Sequence, residues 1–375
     1  MYPPLIPKMT SALQLTYTQA GLLMTGFWVG YIVTQLPSGY ISDRIGVRRT
    51  LASALALIGI FSIITGTASS FADCLVYRTL CGLAAGCIFP PGAAIVLRWF
   101  HPKDRGTATS LYITGSKMGA IIGSTLSPTI SVFFDVWRWS FWILSAPAFL
   151  VAITVLLFMK ESPETEIFHK IVKRKGATKK PFSFRLIFKK KHLWLLIMAT
   201  VGYFCAFNAI HTWAPTYLIE TFGVSPVYAG LVLSLFSGLG IVAAPLSGIV
   251  ADRVIKRKAP VLFFGFMAMS LGCLAISFFA LNSIWSIIGL LILIGIFGFG
   301  SGLGVAILSE WFPLEISGTA SGFLNLSTLG GAVSPYIFGA VLDITGSFTT
   351  GWVVSGGISV ALVMLLIPII YGEKP

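Results

Sequence analysis

Gly39-Tyr40-Ile41-Ser42-Asp43-Arg44-Ile45-Gly46-Val47-Arg48-Arg49 lies between two long apolar runs, and a weaker copy, Gly248-Ile249-Val250-Ala251-Asp252-Arg253, recurs 209 residues later. One charged loop at matching places in two hydrophobic halves marks a duplicated membrane architecture. The duplication extends beyond the loop. Trp99-Phe100 and Gly106-Thr107-Ala108 return 212 residues on as Trp311-Phe312 and Gly318-Thr319-Ala320, and Gly86 and Gly92 return as Gly298 and Gly304.

Of the 375 residues, 56% are hydrophobic and only 10% charged, a surface that needs lipid rather than water. Eleven apolar stretches are long enough to cross about 30 Å of hydrocarbon. They run at about 18–40, 50–70, 75–97, 108–133, 139–159, 193–218, 228–250, 260–281, 284–308, 319–341 and 348–371. The net charge of +13 would suit nucleic acid, but 22 of the 26 Lys and Arg fall in alternate connections. That is the pattern of the positive-inside rule and places those loops and the C-terminus in the cytoplasm. Nucleic acid is therefore not an expected partner; membrane lipid is.

The first loop resembles the signature loop between helices 2 and 3 of the major facilitator superfamily, in the form G-x-x-x-D-R-x-G-x-R-R. The resemblance implies an all-α polytopic fold of two pseudo-symmetric bundles related by an axis along the membrane normal, with substrate held at their interface. It divides the chain into an N-terminal bundle over 1–159 (the tail of helix 1 plus helices 2–6), a cytoplasmic linker over 160–191 and a C-terminal bundle over 192–375 (helices 7–12). In the family this loop latches the halves together on the cytoplasmic side. The resemblance implies that role for Gly39, Asp43, Arg44, Gly46, Arg48 and Arg49, with Asp252 and Arg253 from the second copy, which lacks a glycine matching Gly46.

Eleven spans with a cytoplasmic C-terminus leave residues 1–17 outside the cell, and no signal peptide accounts for that. Tyr2-Pro3-Pro4-Leu5-Ile6-Pro7 resembles the outer end of the first superfamily helix. The expectation is that most of helix 1 is missing, through a late start codon or a truncated sequence; a true eleven-helix protein is the alternative. The expected location is the plasma (inner) membrane of a prokaryote, as a monomer.

Two charges lie within spans. Arg78 leads Arg78-x-x-x-Gly82-x-x-x-Gly86, which resembles a fourth-helix motif whose arginine faces the central cavity. Lys117 sits mid-span in Gly115-Ser116-Lys117-Met118-Gly119. An offset of 212 puts Leu290 opposite Arg78, and Thr328 or Leu329 opposite Lys117, so the scaffold needs neither charge. An intramembrane cation is a functional-site candidate; snorkelling of Arg78 to the interface is the alternative.

All thirteen Asp and Glu sit in loops or at span ends. Two buried cations without buried anions predict a small organic anion as substrate, a carboxylate or a phosphorylated metabolite, whose charge offsets theirs. Tyr77-Arg78, Gly86-Cys87-Ile88-Phe89-Pro90, Trp137-Arg138-Trp139 and Trp213-Ala214-Pro215-Thr216-Tyr217-Leu218 resemble the anion:cation symporter branch. Members of that branch often carry a glutamate where this chain has Ala85, so symport with a proton or another cation and antiport of one anion for another both stay open. Asn208 and His211, three apart on one helical face, would shape the pocket from the second half. Trp213 is a candidate interfacial anchor.

A lipophilic drug and proton exporter of the same fold is one alternative, though it predicts carboxylates in the cavity. A non-transporting membrane sensor is another. Gly298-Phe299-Gly300-Ser301-Gly302-Leu303-Gly304 invites a dinucleotide-loop reading. No βαβ unit surrounds it, so close helix packing is the better account. The same account covers Gly82-x-x-x-Gly86 and Gly115-x-x-x-Gly119-x-x-x-Gly123. Five cysteines lie in or beside apolar spans without C-x-x-C spacing and read as small hydrophobes. No cofactor, metal or enzyme activity is expected, since no nucleophile, base and ligand cluster shares a face.

Overall fold

The computed structural model describes residues 1–101, 104–160, 190–279, 283–298, 300, 302–312 and 322–372. Residues 161–189 of the expected linker, the repeat Gly318-Thr319-Ala320 and Lys374 lie outside the described residues. Among the described residues every regular element is helical, as hydrocarbon requires of a segment that must satisfy its own backbone. A short turn, Pro3–Leu5, leads into α1 (Ile6–Leu13), followed by α2 (Tyr17–Ile45), α3 (Val47–Gly66), α4 (Phe71–Gly86), α5 (Phe89–Trp99), α6 (Arg105–Phe133) and α7 (Arg138–Phe158). The second half runs α8 (Lys191–Phe222), α9 (Pro226–Ile249), α10 (Lys258–Phe279), α11 (Ile284–Phe297), α12 (Gly302–Trp311), α13 (Leu329–Thr345), α14 (Phe348–Val363) and α15 (Ile367–Gly372).

Nine stretches of the described residues are long and apolar enough to cross a membrane. The other two expected spans form α2 and α6, each of 29 residues. These two helices carry small and polar residues where one half meets the other: Gly21 and Thr25 on α2, Ser124 and Thr125 on α6. A side facing protein has no need to be oily.

The duplication survives in detail. α4 stops at Gly86 and α11 at Phe297, each crossing resumes after a short break, and α5 and α12 end at Trp99 and Trp311. Pro90 and Pro91 open α5, where a missing N–H costs nothing.

Close approach explains the first glycine pair. A Cβ on Gly82 would overlap the carbonyl of Phe27, and one on Gly86 the carbonyl of Tyr31, so α4 lies directly on α2. The packing account fails for Gly115 and Gly119, which have nothing within 4 Å of a Cβ position; only Gly123 of that run meets a neighbour, Met1. The halves touch further along α6, at Ser124 and Pro128, while the face bearing Gly115 and Gly119 meets no neighbour among the described residues. In the later glycine run Gly298 packs on Met269 and Gly304 on Leu324, whereas Gly300 and Gly302 face open space.

Residues 1–9 pack against the helices of both halves. Tyr2, Leu5, Ile6 and Met9 recur at helical spacing and are almost fully buried. Tyr2 donates to the carbonyl of Ala20 on α2 (2.7 Å), and Ser127 on α6 donates to the carbonyl of Met1 (2.8 Å).

Gly46 ends α2 and starts α3 with φ 90° and ψ 147°, a conformation open essentially to glycine alone. Gly46→Ala is expected to cost about 1–3 kcal/mol and lower the melting temperature in detergent. Gly39→Ala, inside α2 with nothing within 4 Å, should match or exceed wild type by up to about 1 kcal/mol. Equal melting of both variants would contradict the turn assignment.

Candidate functional site

Ser70 and Asp73 form a capping box that starts α4 and sets its register. Two turns in, Arg78 is 6% exposed. Its guanidinium carbon lies 4.8 Å from the ring centres of both Tyr2 and Phe27, its Nη2 lies 3.7 Å from the sulfur of Met24, and its Nε has no hydrogen-bond partner. Among the described residues Arg78 forms no ion pair with a carboxylate. Ring contacts of this kind contribute about 0.5–2 kcal/mol each, while desolvating an ion costs several. The guanidinium is therefore held at a net cost.

Lys117, half-buried on α6, points its Nζ at the ring of Phe207 on α8 (5.2 Å), so a cation of the first half rests on an aromatic of the second. Phe207 stacks on His211 (5.8 Å, 24°). Met1, the neighbour of Tyr2, packs on Gly123 of α6, the helix that carries Lys117. Arg78, Lys117 and His211 thus share one neighbourhood around Met1 and Phe207. Asn208 does not join them. Its amide donates to the carbonyl of Phe204 in the same helix (3.1 Å) and fills the space beside Gly331 on α13.

Trp213 is not an interfacial anchor: it is fully buried, stacks on Phe338 (5.4 Å, 14°) and donates to the carbonyl of Pro335 (3.1 Å). A tryptophan followed by Ala-Pro reads as an anchor only until a neighbouring helix covers it. The sequence reading also missed Tyr2, Phe27 and Phe207. For Phe207 the signal was its place four residues before His211, on the same helical face.

The signature loop is built as expected, but its described contacts stay local. Asp43 Oδ1 lies 3.7 Å from Arg98 at the end of α5, and Arg44 lies over the Tyr40 ring (4.6 Å). Arg48 and Arg49 follow in the first turn of α3. In the second half Asp252 and Arg253 occupy a short π-helical turn, Val250–Val254. Lys256 has a positive φ of 57°, and Lys258 pairs with Glu310 (2.5 Å). Asp43 and Lys258 each bind a partner in their own half.

The halves join at the opposite end. The Asp343 carboxylate, from α13, accepts hydrogen bonds from the backbone N–H of Tyr17 (3.0 Å) and Thr18 (2.7 Å) and from the Thr18 hydroxyl (2.5 Å). One half thereby caps a helix of the other, where the helix dipole favours a negative charge. Tyr17 also donates to Glu220 (2.7 Å), Thr25 donates to the carbonyl of Ala332 (2.5 Å), and Thr125 bonds Ser234 (2.8 Å).

The profile of the Major Facilitator Superfamily matches residues 1–305 and 220–375. Similar curated proteins include a probable sulfoacetate transporter, SauU, of Cupriavidus necator (26% identical, 98% of this chain and 90% of that protein). Others are a probable galactarate/D-glucarate transporter, GudP, of Escherichia coli K12 (27%, 94% and 85%) and a hexuronate transporter of Bacillus subtilis (26%, 97% and 89%). Among solved structures, a D-xylose-proton symporter superposes with a TM-score of 0.78 (17% identical, 98% and 92% covered). A bacterial homolog of the human lysosomal transporter Spinster, in an inward-facing and unoccupied conformation, gives 0.75 (16%, 97% and 90%). With a profile match along its whole length, and a fold shared with solved transporters, this chain belongs to the Major Facilitator Superfamily.

Proposed function

We propose that this chain carries a small organic anion across the membrane by alternating access, with Arg78 and Lys117 as the charges that hold the solute and His211 beside them. The observation that carries the reading is the guanidinium of Arg78, buried at a net cost with an unsatisfied Nε and no carboxylate pair among the described residues. Every described Asp and Glu lies at a helix end or in a connection, so a solute must supply the negative charge. The names of the relatives agree, since sulfoacetate, galactarate, glucarate and hexuronates are all small organic anions.

Alternating access requires that one end close while the other opens. The Asp343 cap and the Tyr17–Glu220 bond close one end, while Asp43 and Lys258, at the other, pair within their own halves. The loops carrying Asp43 and Asp252 would exchange these local partners for contacts across the halves when the opposite end opens.

In proteoliposomes, uptake of labelled glucarate, hexuronate or sulfoacetate should exceed that of neutral sugars. Arg78→Ala and Lys117→Ala should each reduce uptake tenfold or more, as expected when a buried charge of about 2–5 kcal/mol loses its partner. Wild-type uptake of a preferred anion by both variants would overturn the site. Asp343→Asn removes the charge that caps α2, a contribution of about 1.5–3 kcal/mol. With spin labels at Val136 and Ile344, that variant should shift the distance distribution toward longer separations; an unchanged distribution would refute the closing role.

A further inference from the structure

An apolar groove lies on the far side of α4 from Arg78. Leu80, Leu83, Ala84 and Cys87 recur at helical spacing and form its floor, Ile41 and Ile45 of α2 form one wall, and Ser53, Leu57 and Phe61 of α3 form the other. It encloses about 300 Å³ with an almost wholly apolar lining. Ile41 and Leu57 remain 38% and 41% exposed. Because Arg78 faces the inner side of α4, beneath Tyr2, this groove opens on the outer face of the first half, toward lipid.

A cation stands one turn above the groove. Arg49, Ser53, Leu57 and Phe61 fall at successive intervals of four on α3, so one helical face runs from a cation at the loop, through a hydroxyl, to oil. Arg44 lies on the last turn of α2, which also carries Ile45 of the groove wall, with its guanidinium over the Tyr40 ring. The nearby carboxylate, Asp43, is engaged with Arg98. At the 212-residue offset the small floor residue Ala84 becomes Ile296, so the scaffold does not require such a groove.

We infer that this groove binds one anionic phospholipid, with an acyl chain between α2 and α3 and the headgroup phosphate at Arg49 and Arg44. Basic side chains next to a membrane span attract anionic headgroups, and a chain seated in the groove turns that attraction into a defined site. Neither feature belongs to the solute site proposed above.

The test is lipid retention by native mass spectrometry of the full chain, extracted from nanodiscs of equal phosphatidylglycerol and phosphatidylcholine. Wild type should keep a single phosphatidylglycerol at least fivefold over phosphatidylcholine. Arg49→Gln should abolish that preference. Ser53→Trp, at an exposed position that fills the groove without disturbing the core, should lose the bound lipid of either kind. Equal retention of the two lipids by wild type, or undiminished retention in Ser53→Trp, would overturn the site. So would displacement by glycerol 3-phosphate, which has the phosphate but no chain. Transport is not the readout, so failure here leaves the carrier reading standing.

Discussion

Inside hydrocarbon there is no water to satisfy a polar group, and the rest of this structure follows from that scarcity of partners. Backbone amides are satisfied by helix formation, which is why the described elements are all helical. With lipid as apolar as leucine, no hydrophobic force draws helices together. Contact comes from close approach instead: Gly82 and Gly86 against the carbonyls of α2, Gly21 against Pro335, Gly230 against Ser124. The first pair builds the N-terminal half, and the last two join the halves.

The same scarcity makes polar contacts between the halves decisive for shape. Three hydrogen bonds converge on Asp343, and a fourth links Tyr17 to Glu220. All lie at chain positions where α2 begins and where α8 and α13 end, so they close one end and leave α6 uncovered around Gly115 and Gly119. These are bonds that water would replace if the end opened as the proposed cycle requires. A closure made of packed leucines would have no such substitute.

Arg78 and Lys117 differ in how their cost is met. The guanidinium of Arg78 is enclosed by two aromatic rings and a thioether, soft partners that offset only part of its desolvation. Lys117 lies at the junction of the halves, on a ring that itself stacks on His211. A solute held there, as proposed, would touch both halves at once, which is the condition for coupling occupancy to their relative motion.

The membrane class, the duplicated halves, the charged loop and the two buried cations were all legible in the residues, because each depends on composition or spacing along the chain. Asn208 and His211 share a helical face by spacing, yet one packs beside Gly331 and the other beside Phe207. Trp213 has the composition of an anchor and is buried by α13. Gly115 and Gly119 have the spacing of a packing motif and meet nothing. Sequence alone determined that helices must cross the membrane and that two positive charges lie within them, since polarity and period are properties of the chain itself. Only the tertiary structure decided which face of each helix meets a neighbour, which end of the halves is joined, and that Asp343 is among the groups that join them. Helix rotation and bundle tilt are set by contacts between residues hundreds of positions apart, and no local pattern encodes those.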